Sequence, residues 1–115
     1  MPNLELFFIL SLLVQITHSC EELLTGFHQK WYLFKMSFRT FFLFELVFSS
    51  FWILVFLLGN FPFRIELQAF FLVLMFANGV QHIVWWGNAK KYVPGLVTGF
   101  FHIIIFLVFY FQVLK

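Results

Sequence analysis

Four apolar runs, at about residues 3–24, 38–58, 65–86 and 94–114, occupy almost all of a chain of 115 residues. Each is roughly 20 residues long, about 30 Å as a helix, which matches the hydrocarbon core of a bilayer. In lipid every backbone N–H and C=O must be satisfied inside the protein, so only helices or a closed barrel are open to such runs. Unbroken Phe, Leu, Ile and Val lack the period-two alternation of barrel strands, and helices follow. The expectation is an all-α, integral membrane four-helix bundle forming a single transmembrane domain, 1–115. With 63% hydrophobic and 10% charged residues, no room remains for a soluble domain.

The breaks between runs are short. Gly26 suits a left-handed cap on the first helix, GNFP (59–62) and GNAKK (87–91) read as turns, and Pro94 suits the first turn of the last helix. The first run carries Glu5, no cation before its apolar stretch and no small-residue cleavage site, so it is expected to stay rather than be removed as a signal peptide. Lys30, Lys35, Arg39, Lys90 and Lys91 fall in the first and third loops, against Arg64 and Lys115 on the other side. That bias places both loops in the cytoplasm and both termini outside a bacterial inner membrane. Trp31, Tyr32, Trp85, Trp86 and Tyr92 flank the same loops, where aromatic rings favour the headgroup region. The net charge of +2 is mostly this asymmetry and gives no reason to invoke nucleic acid.

Counting about 1.5 Å per residue from the cytoplasmic helix ends places the polar residues at one level. His18 lies about 9 Å in, Glu45 about 10 Å, His82 about 6 Å, Asn78 and His102 about 12 Å and Thr98 about 6 Å, with Glu21 and Glu22 near the interface. The outer half offers only Gln15, Ser49, Ser50, Glu66, Gln68 and Gln112. Residues three or four apart share a face, which joins His18 to Glu21 and Glu22, Asn78 to His82, and Thr98 to His102. Ionisable groups in a span cost about 2.5–3.5 kcal/mol each on insertion scales, so they turn inward and mark function.

Imidazole and carboxylate together are ligands for transition metals, and a cation would keep the carboxylates ionised. The expected ligands are His18, Glu22, Glu45, His82 and His102, with Asn78 and Thr98 supporting them from behind and Glu21 or Glu22, or else Glu45, acting as catalytic base. The donor set favours a divalent transition metal, zinc or iron, over magnesium or calcium. His28, beside Lys30, is expected in solvent, and Cys20, off the His18–Glu22 face, as a packing residue. A single cysteine excludes an internal disulfide and a multi-cysteine zinc site.

HSCEE (18–22), NGVQH (78–82) and KYVPGLVTG (91–99), in this order and spacing, resemble the HXXEE-motif family of small multispanning bacterial membrane proteins, whose function is unknown. The resemblance carries His18, Glu21, Glu22, Asn78, His82, Tyr92, Pro94, Gly95 and Thr98 as motif positions and implies no activity. Glu45 and His102 rest on depth alone. A looser likeness to CAAX-protease-type peptidases fails at the arginine expected after EELL and at the spacing before His82.

Three functions compete. One is an intramembrane metalloenzyme acting on a lipid-soluble or membrane-bound substrate. The second is a small transporter or ion- or proton-binding protein, which with four helices per chain would need a homo-oligomer to form a path. The third is an accessory subunit in which the polar cluster only holds helices together.

Overall fold

The computed structural model describes residues 3–114. Helix α1 spans Leu4–Thr25 and stops at Gly26, whose left-handed backbone (φ 83°) returns its N–H to the Glu22 carbonyl. A single turn, α2, follows at Phe27–Lys30. Helix α3, Phe38–Leu57, is capped by Ser37, whose hydroxyl accepts the Thr40 N–H at 3.1 Å. Helix α4 spans Arg64–Ala89 and α5 spans Leu96–Phe109, continued by a π-helical turn at Tyr110–Leu114. No strand occurs among the described residues. Leu4–Thr25, Phe38–Leu57, Arg64–Ala89 and Leu96–Val113 are long and apolar enough to cross a membrane. The protein is an all-α four-helix bundle whose outward face is crowded with exposed Phe, Leu, Ile and Val.

Two expected breaks fall elsewhere. GNAKK is not a turn throughout, because α4 continues through Gly87, Asn88 and Ala89 and ends at Lys90 (φ 58°), whose N–H bonds the Trp86 carbonyl. A helical glycine costs only about 1 kcal/mol, so Gly87 alone does not stop a helix that still has carbonyls to pair. Pro94 lies before α5 rather than in its first turn, because Gly95 at φ 88° cannot be helical and Leu96 is the first residue that is.

The chain enters and leaves so that α1 and α4 run parallel, with α3 and α5 antiparallel to them. Helices α1, α4 and α5 form the tightly packed part. Gly79 and Gly99 make the α4–α5 approach possible: a Cβ on Gly79 would sit 2.5 Å from the Gly99 carbonyl oxygen and 2.9 Å from Ile103. Helix α3 leans on α1 and meets α4 away from the loop-31–36 end, where Trp52 packs on Phe71 with ring centroids 4.7 Å apart. At the other end α2 inserts Phe27 between α3 and α4, 5.0 Å from Phe41 and 5.9 Å from Trp85. The wedge holds α3 and α4 apart there.

The loops bearing Lys30, Lys35, Arg39, Lys90 and Lys91 share the wedge end, and none of these cations has an ion pair among the described residues. Arg64, at the opposite end, is fully engaged: it pairs with Glu5 at 2.6 Å and donates to the carbonyls of Val55, Phe56 and Leu58 at the end of α3. Lys115 lies outside the described residues.

Candidate metal centre

The face of α1 at Ser11, Gln15, His18, Ser19 and Glu22 is buried, although its residues are polar, and it is directed into the bundle. Spacings of three and four hold these side chains in one stripe. Opposite them stand Glu45 of α3, His82 of α4, and Thr98 and His102 of α5, all buried. The level inferred from residue counting therefore exists, and it includes Gln15 and Ser19.

Within it, His18, Glu22 and His82 each present a ligand atom, and these atoms all lie within 4.8 Å of one another. Glu22 Oε2 stands 3.5 Å from His18 Nε2 and 3.2 Å from His82 Nε2. Both imidazoles are fully buried, edge to face with centroids 4.8 Å apart. Gly95 lies against them: a Cβ there would meet His82 Cε1 at 2.5 Å and His18 Cε1 at 2.8 Å. Glycine is thus required at this position twice over, for its left-handed backbone and for the absence of a side chain.

The hydrogen bonds assign the His18 tautomer. Thr98 Oγ1 donates to Glu21 Oε1 at 2.6 Å, since a carboxylate can only accept, so it must receive the proton of His18 Nδ1, also 2.6 Å away. The lone pair of His18 is then on Nε2, facing Glu22 and His82. A ring whose far nitrogen is held in this way is the usual arrangement of a metal-binding histidine. A second set of donors converges on the same atom: Tyr32 donates to Gln81 Oε1, Gln81 Nε2 to Asn78 Oδ1, and Asn78 Nδ2 to His18 Nε2 at 3.1 Å, a bond that a metal on this lone pair would replace. His82 is different. Neither of its ring nitrogens makes a hydrogen bond among the described residues, and the 3.2 Å approach to Glu22 is misaligned for one. A buried imidazole without a hydrogen bond costs about 1–3 kcal/mol, a penalty that a cation held between His82, His18 and Glu22 would remove.

The other expected ligands are arranged otherwise. His102 packs on the His18 ring at 5.3 Å, but its Nε2 donates to Gln15 Oε1 at 3.1 Å. Gln15 Nε2 donates onward to Ser19 Oγ at 3.3 Å, and Ser19 donates to Glu45 Oε2. His102 and Glu45 are therefore the two ends of a hydrogen-bonded chain and lie outside the three-ligand group. Glu21 does not face that group either. It accepts the N–H groups of Val97 and Thr98, the Thr98 hydroxyl and the Tyr92 phenol, and so caps the first turn of α5 in place of the side chain that Gly95 lacks. Burial, reinforced by this carboxylate, pushes the Tyr92 phenol up and keeps it a donor.

Residue counting set Gln15 aside as an outer-half group and left out Ser19 and Gln81. The signal for all three was spacing, since Gln15 and Ser19 continue the stripe of His18 and Glu22, and Gln81 is three residues from Asn78. Two expectations of environment also change. His28 is half-buried with its ring against Phe38 and its Nδ1 without a partner among the described residues, because α2 folds it back under α3. Cys20 is off the His18–Glu22 face as expected, but faces outward and is exposed rather than packed.

Glu22, Gln15, Glu45, Asn78 and Gln81 also form the polar wall of a cavity of about 660 Å³ in the gap that Phe27 keeps between α3 and α4. Its remaining walls, including Phe41, Phe44, Phe48, Leu74 and Met75, are almost wholly apolar. The volume falls within the roughly 300–1,000 Å³ of ligand sites. Glu22 lies in that wall, and with the two buried imidazoles it contacts it could hold a metal by three protein ligands and leave a position open.

No curated protein and no solved structure matches the chain. The sequence profile of a family of proteins of unknown function with an HXXEE motif matches residues 9–110, and the motif itself is His18, Glu21 and Glu22. With its histidine and second glutamate in the candidate metal centre and its first glutamate capping the helix that completes it, the chain belongs to the HXXEE family.

Proposed function

We propose that the protein is a membrane-embedded metalloenzyme, lying in a bacterial inner membrane with both termini outside, whose metal is held by His18, Glu22 and His82 and whose substrate is lipid-soluble or membrane-bound. The observation that carries this reading is the orphaned His82 ring, fully buried and within 3.2 Å of a buried carboxylate that also neighbours the lone pair of His18. Two histidines and one carboxylate are the donor set of both hydrolytic zinc and non-haem iron centres. A bound divalent metal supplies a Lewis acid and lowers the pKa of a coordinated water toward about 7. The chain supplies the rest. Glu22 is a ligand and Glu21 is committed to α5, so Glu45, which shares the cavity wall with Glu22, is the carboxylate left to accept a proton. Ser19 orients it. The unpaired cations of the loops at the wedge end support the orientation.

Transport is less well supported, because among the described residues the buried polar side chains beyond Gln15 toward the opposite end are only Ser11 and Gln68. Elemental analysis of protein purified without chelators tests the proposal. About one zinc or iron per chain is expected, absent from a His18→Ala, His82→Ala double variant that keeps its helical circular dichroism. No metal in folded wild type, or equal metal in both proteins, would overturn it.

A further inference from the structure

We infer that the ligand of the α3–α4 cavity is a single-chain anionic lipid, whose hydrocarbon chain lies between the two helices and whose phosphate-bearing head sits at the mouth among Lys30, Lys35 and Arg39. This deepens the proposed function by naming the substrate class of that site.

Three observations converge. The cavity walls belong to α3 from Thr40 to Phe48 and to α4 from Leu74 to Gln81, a run of about 12 Å along α3 lined chiefly by apolar side chains. A polar solute would gain nothing from such walls, whereas each buried methylene contributes about 0.8 kcal/mol. The polar groups are gathered at Glu22, Glu45, Gln15, Asn78 and Gln81, so a chain entering the cavity passes Glu22, the candidate metal ligand in its wall. At the mouth the lining residues Trp31, Phe34, Met36 and Thr40 alternate in sequence with exposed cations: Lys30 precedes Trp31, Lys35 separates Phe34 from Met36, and Arg39 precedes Thr40. None of the three cations has an ion pair among the described residues. Apolar walls beneath unpaired positive charges complement an amphiphile with one chain and a negative head. Trp52 against Phe71 closes the gap between α3 and α4 beyond Phe48 and so bounds the depth available to a chain.

The geometry also says what controls access. Phe27, stacked on Phe41 and edge-on to Trp85, keeps the gap open at the mouth, while Trp31 and Phe34, 5.0 Å apart, roof it.

Native mass spectrometry of the full chain in detergent, titrated with palmitoyl lysophosphatidate or with uncharged monopalmitoylglycerol, tests the inference. One lysophosphatidate should bind per chain, at least about tenfold tighter than the uncharged lipid. Ala77→Trp, filling the cavity, and Thr40→Trp, obstructing its mouth, should each lose lysophosphatidate while keeping bound metal. A Lys35→Glu, Arg39→Glu double variant should bind lysophosphatidate at least about tenfold more weakly and monopalmitoylglycerol unchanged. His82→Ala should lose metal and still bind lipid, so failure of the metal reading and failure of this one give different patterns. Undiminished binding in both tryptophan variants overturns the cavity as the site. Equal affinity for the two lipids, or indifference to the charge reversals, overturns the anionic head.

Discussion

The buried polar core has two halves that share helix α1 and differ in how they are satisfied. On one side His102, Gln15, Ser19 and Glu45 form a chain in which each proton points the same way, from the α5 imidazole to the α3 carboxylate, although His102 Nδ1 has no hydrogen bond among the described residues. On the other, His18, Glu22 and His82 crowd three ligand atoms within 4.8 Å, and neither nitrogen of His82 makes a hydrogen bond among the described residues, although Nε2 stands 3.2 Å from Glu22. Hydrogen-bonding groups used only as interhelical glue should look like the first half, because a bilayer offers no water to complete them. The second half forms no such chain. Equal burial and the same residue types thus lead to different bonding.

The sharpest way to break this contrast is to exchange the two histidines as targets. His82→Ala should abolish metal binding, whereas His102→Gln should leave it intact, and elemental analysis reads both. If His102→Gln also empties the site, the two halves are one. Next in size is Gly95→Ala, which forces a side chain into the space of both imidazoles at a left-handed backbone position. It should destabilise the bundle by about 3 kcal/mol and lose the metal, as measured by chemical denaturation in detergent and by elemental analysis. Thr98→Val removes the hydroxyl that holds the His18 tautomer and should weaken metal binding about 10- to 100-fold in competition with a chelator. Glu45→Gln should leave metal bound and cost about 1 kcal/mol of stability by loosening Ser19 and Gln15, while lowering any turnover.

The smallest expected effect concerns the carboxylate that the family motif shares with neither half. Tyr92→Phe deletes one of the four donors to Glu21 and should cost about 1 kcal/mol. Because the Tyr92 phenol titrates above its ordinary range in the folded protein, this contribution is complete at neutral pH and fades only as the solution becomes strongly alkaline. Denaturation of wild type and Tyr92→Phe across that range should show the two curves merging at the alkaline end.

How much of this was legible beforehand depends on whether a property is local. Apolar runs of roughly 20 residues dictate helices wherever they are placed in lipid, so the four spans could be read from composition and length. The spacing of His18 and Glu22 is likewise a property of one helix and survives into the structure. Which residues stand opposite that face is not local. Depth counting brought His102 and Glu45 to the correct level but could not tell that Gln15 and Ser19 would pair with them, because level says nothing of rotation about the helix axis. The role of Glu21 was hidden for a related reason: it depends on Gly95 leaving the α5 amides uncapped just where α1 passes. The sequence by itself determined the helices, their lengths and the supply of ligands on α1. Tertiary structure alone decided that Gly79 and Gly99 would draw α4 and α5 together, that Phe27 would hold α3 off α4, and hence that two histidines would meet a glutamate that lies in the wall of a cavity, because contacts between helices are set by shape complementarity among residues far apart in the chain.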